Sequence, residues 1–225
     1  MKLNPIFPTR KEMYFGWRYL AFQVLILPYL LLLLPIELTS AQRNFLFFCL
    51  NFLCVVIFFR KFLLEALRDA ARRMPRVLLT ALGGFCVYCV LTMLLSRVLV
   101  RINPGFTNQN DQSIAGMSRD SYALMFVGTV LLVPLTEECL NRGSVFASLR
   151  GRSRAAAYIV STVLFSLIHI NNYIGYYDPL TLLLCFVQYI PAGICLAASY
   201  EISGSIFAPM LIHAAVNAVG MLAVR

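Results

Sequence analysis

The chain has 225 residues, of which 60% are hydrophobic and 13% are charged. Soluble domains carry about 25% charged residues, so this composition excludes an ordinary soluble domain and indicates a membrane protein. The net charge of +9 does not belong to a soluble basic domain, which excludes a nucleic-acid-binding role.

Apolar runs long enough to cross a bilayer, which requires about 20 residues, recur along the chain. They predict seven transmembrane helices, at 17–38, 44–59, 77–99, 121–141, 155–172, 179–199 and 204–223. The fourth is expected to continue as helix to about Leu149. The first run is too long and too weakly terminated for a cleaved signal peptide. The predicted fold is therefore all-α, a polytopic membrane helical bundle with its N-terminus retained.

The basic residues predict the orientation of this bundle. Thirteen of the nineteen lysines and arginines fall in three segments on one side: Lys2, Arg10, Lys11, Arg18, Arg60, Lys61, Arg68, Arg72, Arg73, Arg76, Arg150, Arg152 and Arg154. Because basic residues concentrate in cytoplasmic loops, we expect a cytoplasmic N-terminus and, after seven spans, a C-terminus outside.

Two segments between the predicted spans have a character of their own. Segment 60–76 places Phe62 and Ala66 at helical spacing with arginines on the other side, which predicts an amphipathic helix on the cytoplasmic surface, bound to anionic lipid. Segment 101–120 is rich in Asn, Asp, Gln, Ser and Gly and is expected to be a polar loop. It separates an N-terminal three-helix portion, 1–110, from a four-helix catalytic core, 111–225, within one integrated membrane domain.

Ionisable side chains inside the predicted spans are the main functional signal, because they are costly in a membrane. The fourth span carries Glu137, Glu138 and Arg142, and the only two histidines of the chain, His169 and His213, lie in the fifth and seventh. Residues four apart share a helix face. We therefore expect Glu138 to pair with Arg142, Phe165 to stack with His169, and Asn217 to face the same way as His213.

Depth along the helices indicates one common site. Glu137, His169 and His213 lie 13, 15 and 12 residues from the charged residues at one end of their helices, or about 20, 22 and 18 Å. Such a coincidence predicts a single polar cavity, open to the cytoplasmic side.

Several kinds of site are compatible with these side chains. Glu137 and His169 can activate a water molecule as general base, while His213 and Asn217 donate hydrogen bonds to an oxyanion, which predicts peptide hydrolysis without a metal. Glu137, His169 and His213 are alternatively a zinc set, although no H-E-x-x-H motif is present. A proton or ion pathway and purely structural interhelical hydrogen bonds are further alternatives.

Three short motifs resemble those of a known family. Glu137-Glu138-Cys139-Leu140-Asn141-Arg142 is similar to the EExxxR motif of the CAAX protease and bacteriocin-processing (CPBP, or Abi) membrane proteins, which include the type II CAAX prenyl endopeptidases. Phe165 with His169 matches FxxxH, and His213 with Asn217 matches HxxxN/D. Each motif alone is weak, but the three in order on separate apolar helices are highly specific.

The resemblance implies an intramembrane glutamate-dependent endopeptidase without a cofactor. It assigns water activation to Glu137 with His169 and oxyanion stabilisation to His213 with Asn217, while Glu138 and Arg142 support the site. It implies a peptide or protein substrate, lipidated in some members, and a bacterial cytoplasmic membrane for a chain this short. Some members of the family act instead as immunity or scaffold proteins, which is the alternative outside enzymology.

Overall fold

The computed structural model describes residues 6–224; Lys2, within the first five residues, and Arg225 lie outside it. Residues 6–224 are mostly helical, without a β-strand. The helices are α1 Arg10–Leu25, α2 Leu27–Leu32, α3 Ser40–Phe58, α4 Arg60–Arg72, α5 Met74–Ile102, α6 Gln109–Asp120, α7 Tyr122–Arg150, α8 Arg154–Ile170, α9 Pro179–Gln188, α10 Ile190–Ser203 and α11 Phe207–Ala223.

The prediction of a helical membrane bundle is confirmed. Within the described residues, five helical segments are long and apolar enough to cross a membrane: Ser40–Phe58, Met74–Ile102, Tyr122–Arg150, Arg154–Tyr173 and Pro179–Ser203. The fifth consists of α9 and α10, joined at Tyr189. Helix α11 is apolar but shorter, with 17 residues. The seventh predicted span therefore exists as a helix that is short for a bilayer.

The first predicted span differs most from the structure. Its helix begins at Arg10 rather than near Trp17, because Thr9 and Glu12 form a capping box at that end. It is interrupted at Ile26, where Pro28 starts the separate helix α2. Proline lacks an N–H and cannot continue the ladder of the preceding helix. The single span 17–38 is therefore two helices, which end at Leu32.

The amphipathic helix is present as α4, with Phe62, Ala66 and Ala70 buried against the bundle. It ends at Arg72, and two of the predicted surface arginines are used within the protein. Arg73 is buried and paired with Asp69, and Arg76 donates a hydrogen bond to the carbonyl of Ile202. Binding of α4 to anionic lipid stays a prediction.

Part of the predicted polar loop 101–120 is helical. Helix α6 covers Gln109–Asp120, and the side chain of Asn108 caps its first turn by accepting from the N–H groups of Asn110 and Asp111. An asparagine oxygen at this position satisfies donors that a helix leaves unpaired at its start. The segment therefore consists of the end of α5, a short loop over 103–108 and the polar helix α6.

Helix α7 is continuous over 29 residues, as the expected extension to about Leu149 requires, but it is not regular. Gly128–Leu132 and Cys139–Phe146 are π-helical, and such widened turns frequently occur at functional sites. Helix α1 packs so closely on the second π segment that a Cβ on Gly16 would overlap the side chain of Ser144.

The hydrophobic core joins the two predicted portions of the chain. Tyr19 and Phe59 from the first portion lie in one buried cluster with Leu140, Phe146 and Tyr200 from the second. The boundary near residue 110 stays a prediction.

The bundle has two distinct ends. At one end Glu201 binds Arg150, Arg154 and Tyr158, and Tyr200 donates to the carbonyl of Ile6. We call this end the basic end, because it gathers segments 6–12, 60–76 and 150–154. The opposite end holds α6, the residues after α8 and the end of α11, where the hydroxyl of Tyr122 donates to the carbonyl of Met221.

Candidate active site

A cavity of about 770 Å³ lies inside the bundle, within the usual range for ligand pockets, about 300–1,000 Å³. Glu137, His169, His213 and Asn217 all line it. The structure thus brings together, from three separate helices, the four side chains that the sequence predicted to act on a peptide bond.

The cavity opens in the opposite direction to the one predicted. From the four site residues it extends to Asn108 and Asp111 of the α6 region and to Asn171 and Asn172 after α8. No residue of 142–158 or 199–207 lines it. Among the described residues, the prediction that the cavity opens toward the basic end is therefore wrong, while the cytoplasmic position of that end stays a prediction. The predicted opening failed because it compared depths only with the basic end and treated 101–120 as a loop outside the bundle.

Beneath the cavity lies a buried ion pair between Glu138 and Arg142, both with 0% of the side chain exposed. Arg142 Nε is 3.2 Å from Glu138 Oε2, and the guanidinium also donates to the carbonyl of Gly193 at 3.1 Å. It lies over the ring of Phe165, 4.7 Å from its centroid. The four-residue spacing predicted this pair, and the other contacts hold the guanidinium in one orientation.

His213 connects this pair to the cavity. Its Nδ1 is 2.8 Å from Glu138 Oε1, and its Nε2 is 4.0 Å from Glu137 Oε2. Because a carboxylate accepts hydrogen bonds, the Nδ1 nitrogen of His213 carries a proton. The buried carboxylate therefore fixes the ring and leaves Nε2 directed toward the second carboxylate.

His169 has the same tautomer for a different reason. Its Nδ1 lies 2.7 Å from the carbonyl oxygen of Phe165, which can only accept, so Nδ1 donates and Nε2 carries a lone pair. The ring stacks on Tyr189 with centroids 4.2 Å apart and contacts the ring of Phe165 at 4.5 Å. Glu137 and His213 lie within electrostatic reach of this imidazole.

Asn217 is held by an irregularity in α7. The N–H of Val133 bonds to the carbonyl of Gly128, five residues earlier. The next bond in this register would run from residue 134 to Thr129, but Pro134 has no N–H. Asn217 supplies the missing donor, since its Nδ2 lies 2.7 Å from the carbonyl oxygen of Thr129. One amide N–H of Asn217 is thereby used, and the second is left for a ligand.

Three contributors to this site were not found from the sequence. Tyr189 supplies the ring under His169, Gly193 supplies a carbonyl to Arg142, and Thr129 supplies a carbonyl to Asn217. The two carbonyls are backbone groups without a signal in the sequence. Tyr189 follows Gln188 inside an apolar run, and this polar pair was the available clue.

Glu137, His169 and His213 are also the residues of the alternative zinc site. Between residues 6 and 224, no group of three His, Cys, Asp or Glu side chains has a metal-binding arrangement. Two ligand atoms on tetrahedral zinc, each about 2.0–2.2 Å from the metal, are about 3.4 Å apart. Glu137 Oε2 and His213 Nε2 are 4.0 Å apart.

Comparison with known proteins gave one result. Residues 119–219 match a family model described as "Type II CAAX prenyl endopeptidase Rce1-like". The matched region spans α7 to α11 and therefore contains every site residue described above. No curated protein and no solved structure matched the chain.

Proposed function

Because residues 119–219 of this chain belong to the type II CAAX prenyl endopeptidase family, we propose that it is a glutamate-dependent, metal-independent endopeptidase that uses Glu137 and His169 to activate water. The family and the apolar helices make the protein an integral membrane protein and a peptide hydrolase. The observation that carries the finer mechanism is Glu137 Oε2, a buried oxygen in the cavity without a hydrogen-bond partner among residues 6–224.

Water activation requires two groups that can accept hydrogen bonds from the same water molecule. Glu137 offers its carboxylate, and His169 offers the lone pair of Nε2, because the carbonyl of Phe165 holds its Nδ1 proton. A general base in this position contributes about 10²–10⁴ in rate. Stacking on Tyr189 limits rotation of the His169 ring, so the acceptor direction is set before the substrate binds.

Oxyanion stabilisation requires donors. Since Nδ1 of His213 already donates to the buried carboxylate of Glu138, its Nε2 donates to an oxyanion only in the imidazolium form. Asn217 offers its second amide N–H, while the first is fixed on Thr129. The two histidines thus share a tautomer but differ in their partners, a neutral carbonyl for His169 and a carboxylate for His213. This difference supports the division of roles.

The reaction follows from these roles. Water adds to the scissile carbonyl carbon, its proton passes to Glu137, and the resulting oxyanion is held by His213 and Asn217. Collapse of the tetrahedral species breaks the C–N bond as Glu137 returns the proton to the amine. The products are a carboxylic acid and an amine.

Comparative peptidomics of cells that express wild type or Glu137→Gln tests this proposal. We expect an uncleaved precursor to accumulate with Glu137→Gln and with His213→Ala, at unchanged protein level. Glu65→Gln, an exposed glutamate on α4, is the matched control and should process normally. Unchanged processing in both site variants would overturn the protease mechanism in favour of an immunity or scaffold role.

Metal independence is tested separately. Purified protein should hold less than stoichiometric zinc by elemental analysis and should keep its cleavage rate after exhaustive chelation. Stoichiometric zinc that is lost in a His169→Ala variant would instead establish the metal alternative.

Membrane orientation and substrate form belong to the same proposal. We place the basic end in the cytoplasm of a bacterial cell, because basic residues concentrate on that side, and we expect a peptide or protein substrate, lipidated or not. The cavity then opens on the outer side of the membrane.

A further inference from the structure

The charge inside the cavity contrasts with the charge of the chain. Among the described residues that line it, the carboxylates are Glu137 and Asp111, and neither lysine nor arginine is present. The chain as a whole has a net charge of +9. The described basic residues therefore lie elsewhere, and the interior surface that meets the substrate is acidic.

Asp111 is not required to pair with the protein. It lies in the first turn of α6, where an acidic residue is favourable, but Asn108 already caps that helix. Its backbone N–H donates to Asn108, but the Asp111 side chain forms no hydrogen bond or ion pair with any of residues 6–224. The structure therefore leaves a carboxylate at the cavity surface with its oxygens available to a ligand.

The surroundings of Asp111 favour a cationic ligand. Its neighbours in electrostatic reach are the phenols of Tyr88, Tyr173 and Tyr189 and the thiol of Cys185, all uncharged at neutral pH. Asp111 is an exposed side chain at the cavity surface, and partial desolvation by the surrounding protein raises its pKa to about 6. The group is thus an anion at neutral pH with its oxygens open to a ligand, and an organic ammonium group would be its natural partner.

Asp111 is also near the reacting groups. Its backbone N–H and the hydroxyl of Tyr189 both donate to the side-chain oxygen of Asn108, and the ring of Tyr189 stacks on His169, so Asn108 and Tyr189 connect this end of α6 to the water-activating histidine. A cation bound to Asp111 would therefore belong to a substrate residue close to the scissile bond. A free C-terminal carboxylate would be repelled from the same place.

We propose that Asp111 is a specificity residue that binds an ammonium group of the peptide substrate, from a lysine side chain or a free N-terminus, close to the bond that is cleaved. This inference rests on the proposed function, because it names the substrate class of the same cavity.

Binding of matched peptides tests this assignment without catalysis. The protein is the purified full-length Glu137→Gln variant in detergent micelles, in which Asp111 is the remaining carboxylate among the described residues that line the cavity. The probes are apolar, fluorescently labelled peptides, C-terminally amidated and identical except at one charge. Three of the four peptides are N-terminally acetylated and carry a central Lys, Gln or Glu. The fourth has a free N-terminus and a central Gln.

We expect the Lys peptide, the free-amine peptide or both to bind about tenfold more tightly than the acetylated Gln peptide, and the Glu peptide to bind most weakly. A hydrogen bond between charged groups increases affinity by about a factor of ten. The arm that gains affinity identifies the source of the ammonium group. An additional Asp111→Asn change should abolish this preference, whereas Asp120→Asn, an exposed aspartate at the other end of α6, should keep it.

Equal affinity of all four peptides, absence of binding, or a preference that survives Asp111→Asn would overturn the assignment. Since nothing is hydrolysed in this assay, such a result leaves the peptidomic test of the protease untouched. Conversely, a preference that depends on Asp111 stands even if Glu137 proves not to be the base.

Discussion

The link between the ion pair and His213 leads to a prediction about Glu138. In Glu138→Gln the shape of the side chain is kept but the negative charge is lost. Arg142, with 0% of its side chain exposed, would then keep the carbonyl of Gly193 and the face of Phe165 as partners but lose the carboxylate paired with it. The amide oxygen at position 138 would still accept a hydrogen bond from His213 Nδ1, but the negative charge beside the imidazole ring would be gone.

The magnitude follows from these contacts. Removing one partner of a buried ion pair costs about 3–5 kcal/mol, because the remaining charge is left unpaired in a low-dielectric interior. For a domain of this size, about 3 kcal/mol corresponds to a fall of about 6–12 °C in the midpoint of thermal unfolding. Loss of one oxyanion donor reduces kcat by about 10²–10³. We expect Glu138→Gln to show both effects.

A second change separates the two effects. In Glu138→Gln/Arg142→Met the uncompensated charge is removed and replaced by an apolar side chain of similar length, so most of the lost stability should return. Activity should stay low, since the side chain at position 138 is still uncharged in the double variant. Stability is measured as the temperature at which half of the detergent-solubilised protein remains monodisperse, and activity as kcat on a cleaved peptide. A double variant no more stable than Glu138→Gln would refute the reasoning that the orphaned arginine is the cause.

Three further changes test other parts of the structure. Pro134→Ala should raise thermal stability, because it restores a helix N–H. It should also lower kcat several-fold, because that N–H competes with Asn217 for the carbonyl of Thr129. An unchanged kcat would contradict this role of Asn217. Tyr189→Phe should keep kcat near the wild-type value, whereas Tyr189→Leu should lower it about tenfold at similar KM, because only phenylalanine keeps the ring stacked on the active-site imidazole. In a variant without native cysteines, a cysteine at Asn172 should react with an impermeant maleimide outside intact cells, and one at Arg152 only after permeabilisation. The reverse pattern would invert the orientation.

Local spacing explains what the sequence could predict about the site. Glu138 and Arg142 are four residues apart on one helix, and their pairing depends only on helix geometry. The contact between His213 and Glu138 joins residues 75 positions apart, so it depends on how α11 packs against α7. The sequence showed that His213 was polar at the right depth, but not which carboxylate it binds.

Backbone irregularity explains another part that remained hidden. The bond between Asn217 and Thr129 requires the π segment of α7 together with the missing N–H of Pro134, and helical periodicity assumes a regular ladder. Asn108 likewise was assigned to a loop, because its neighbours are polar. In the structure it caps α6 and binds Tyr189, so polarity here marked the wall of a cavity.

The last helix has a consequence for the surrounding lipid. Helix α11 has 17 residues, about 25 Å at 1.5 Å per residue, and the hydrocarbon core of a bilayer is about 30 Å thick. Lipid that contacts α11 would accommodate this difference of about 5 Å by local thinning, at a cost of fractions of a kcal/mol per ångström. His213 and Asn217 lie on this helix, so such thinning would bring the membrane–water boundary closer to the proposed site of hydrolysis. Hydrophobic mismatch would thus hydrate the active site and favour thin membranes.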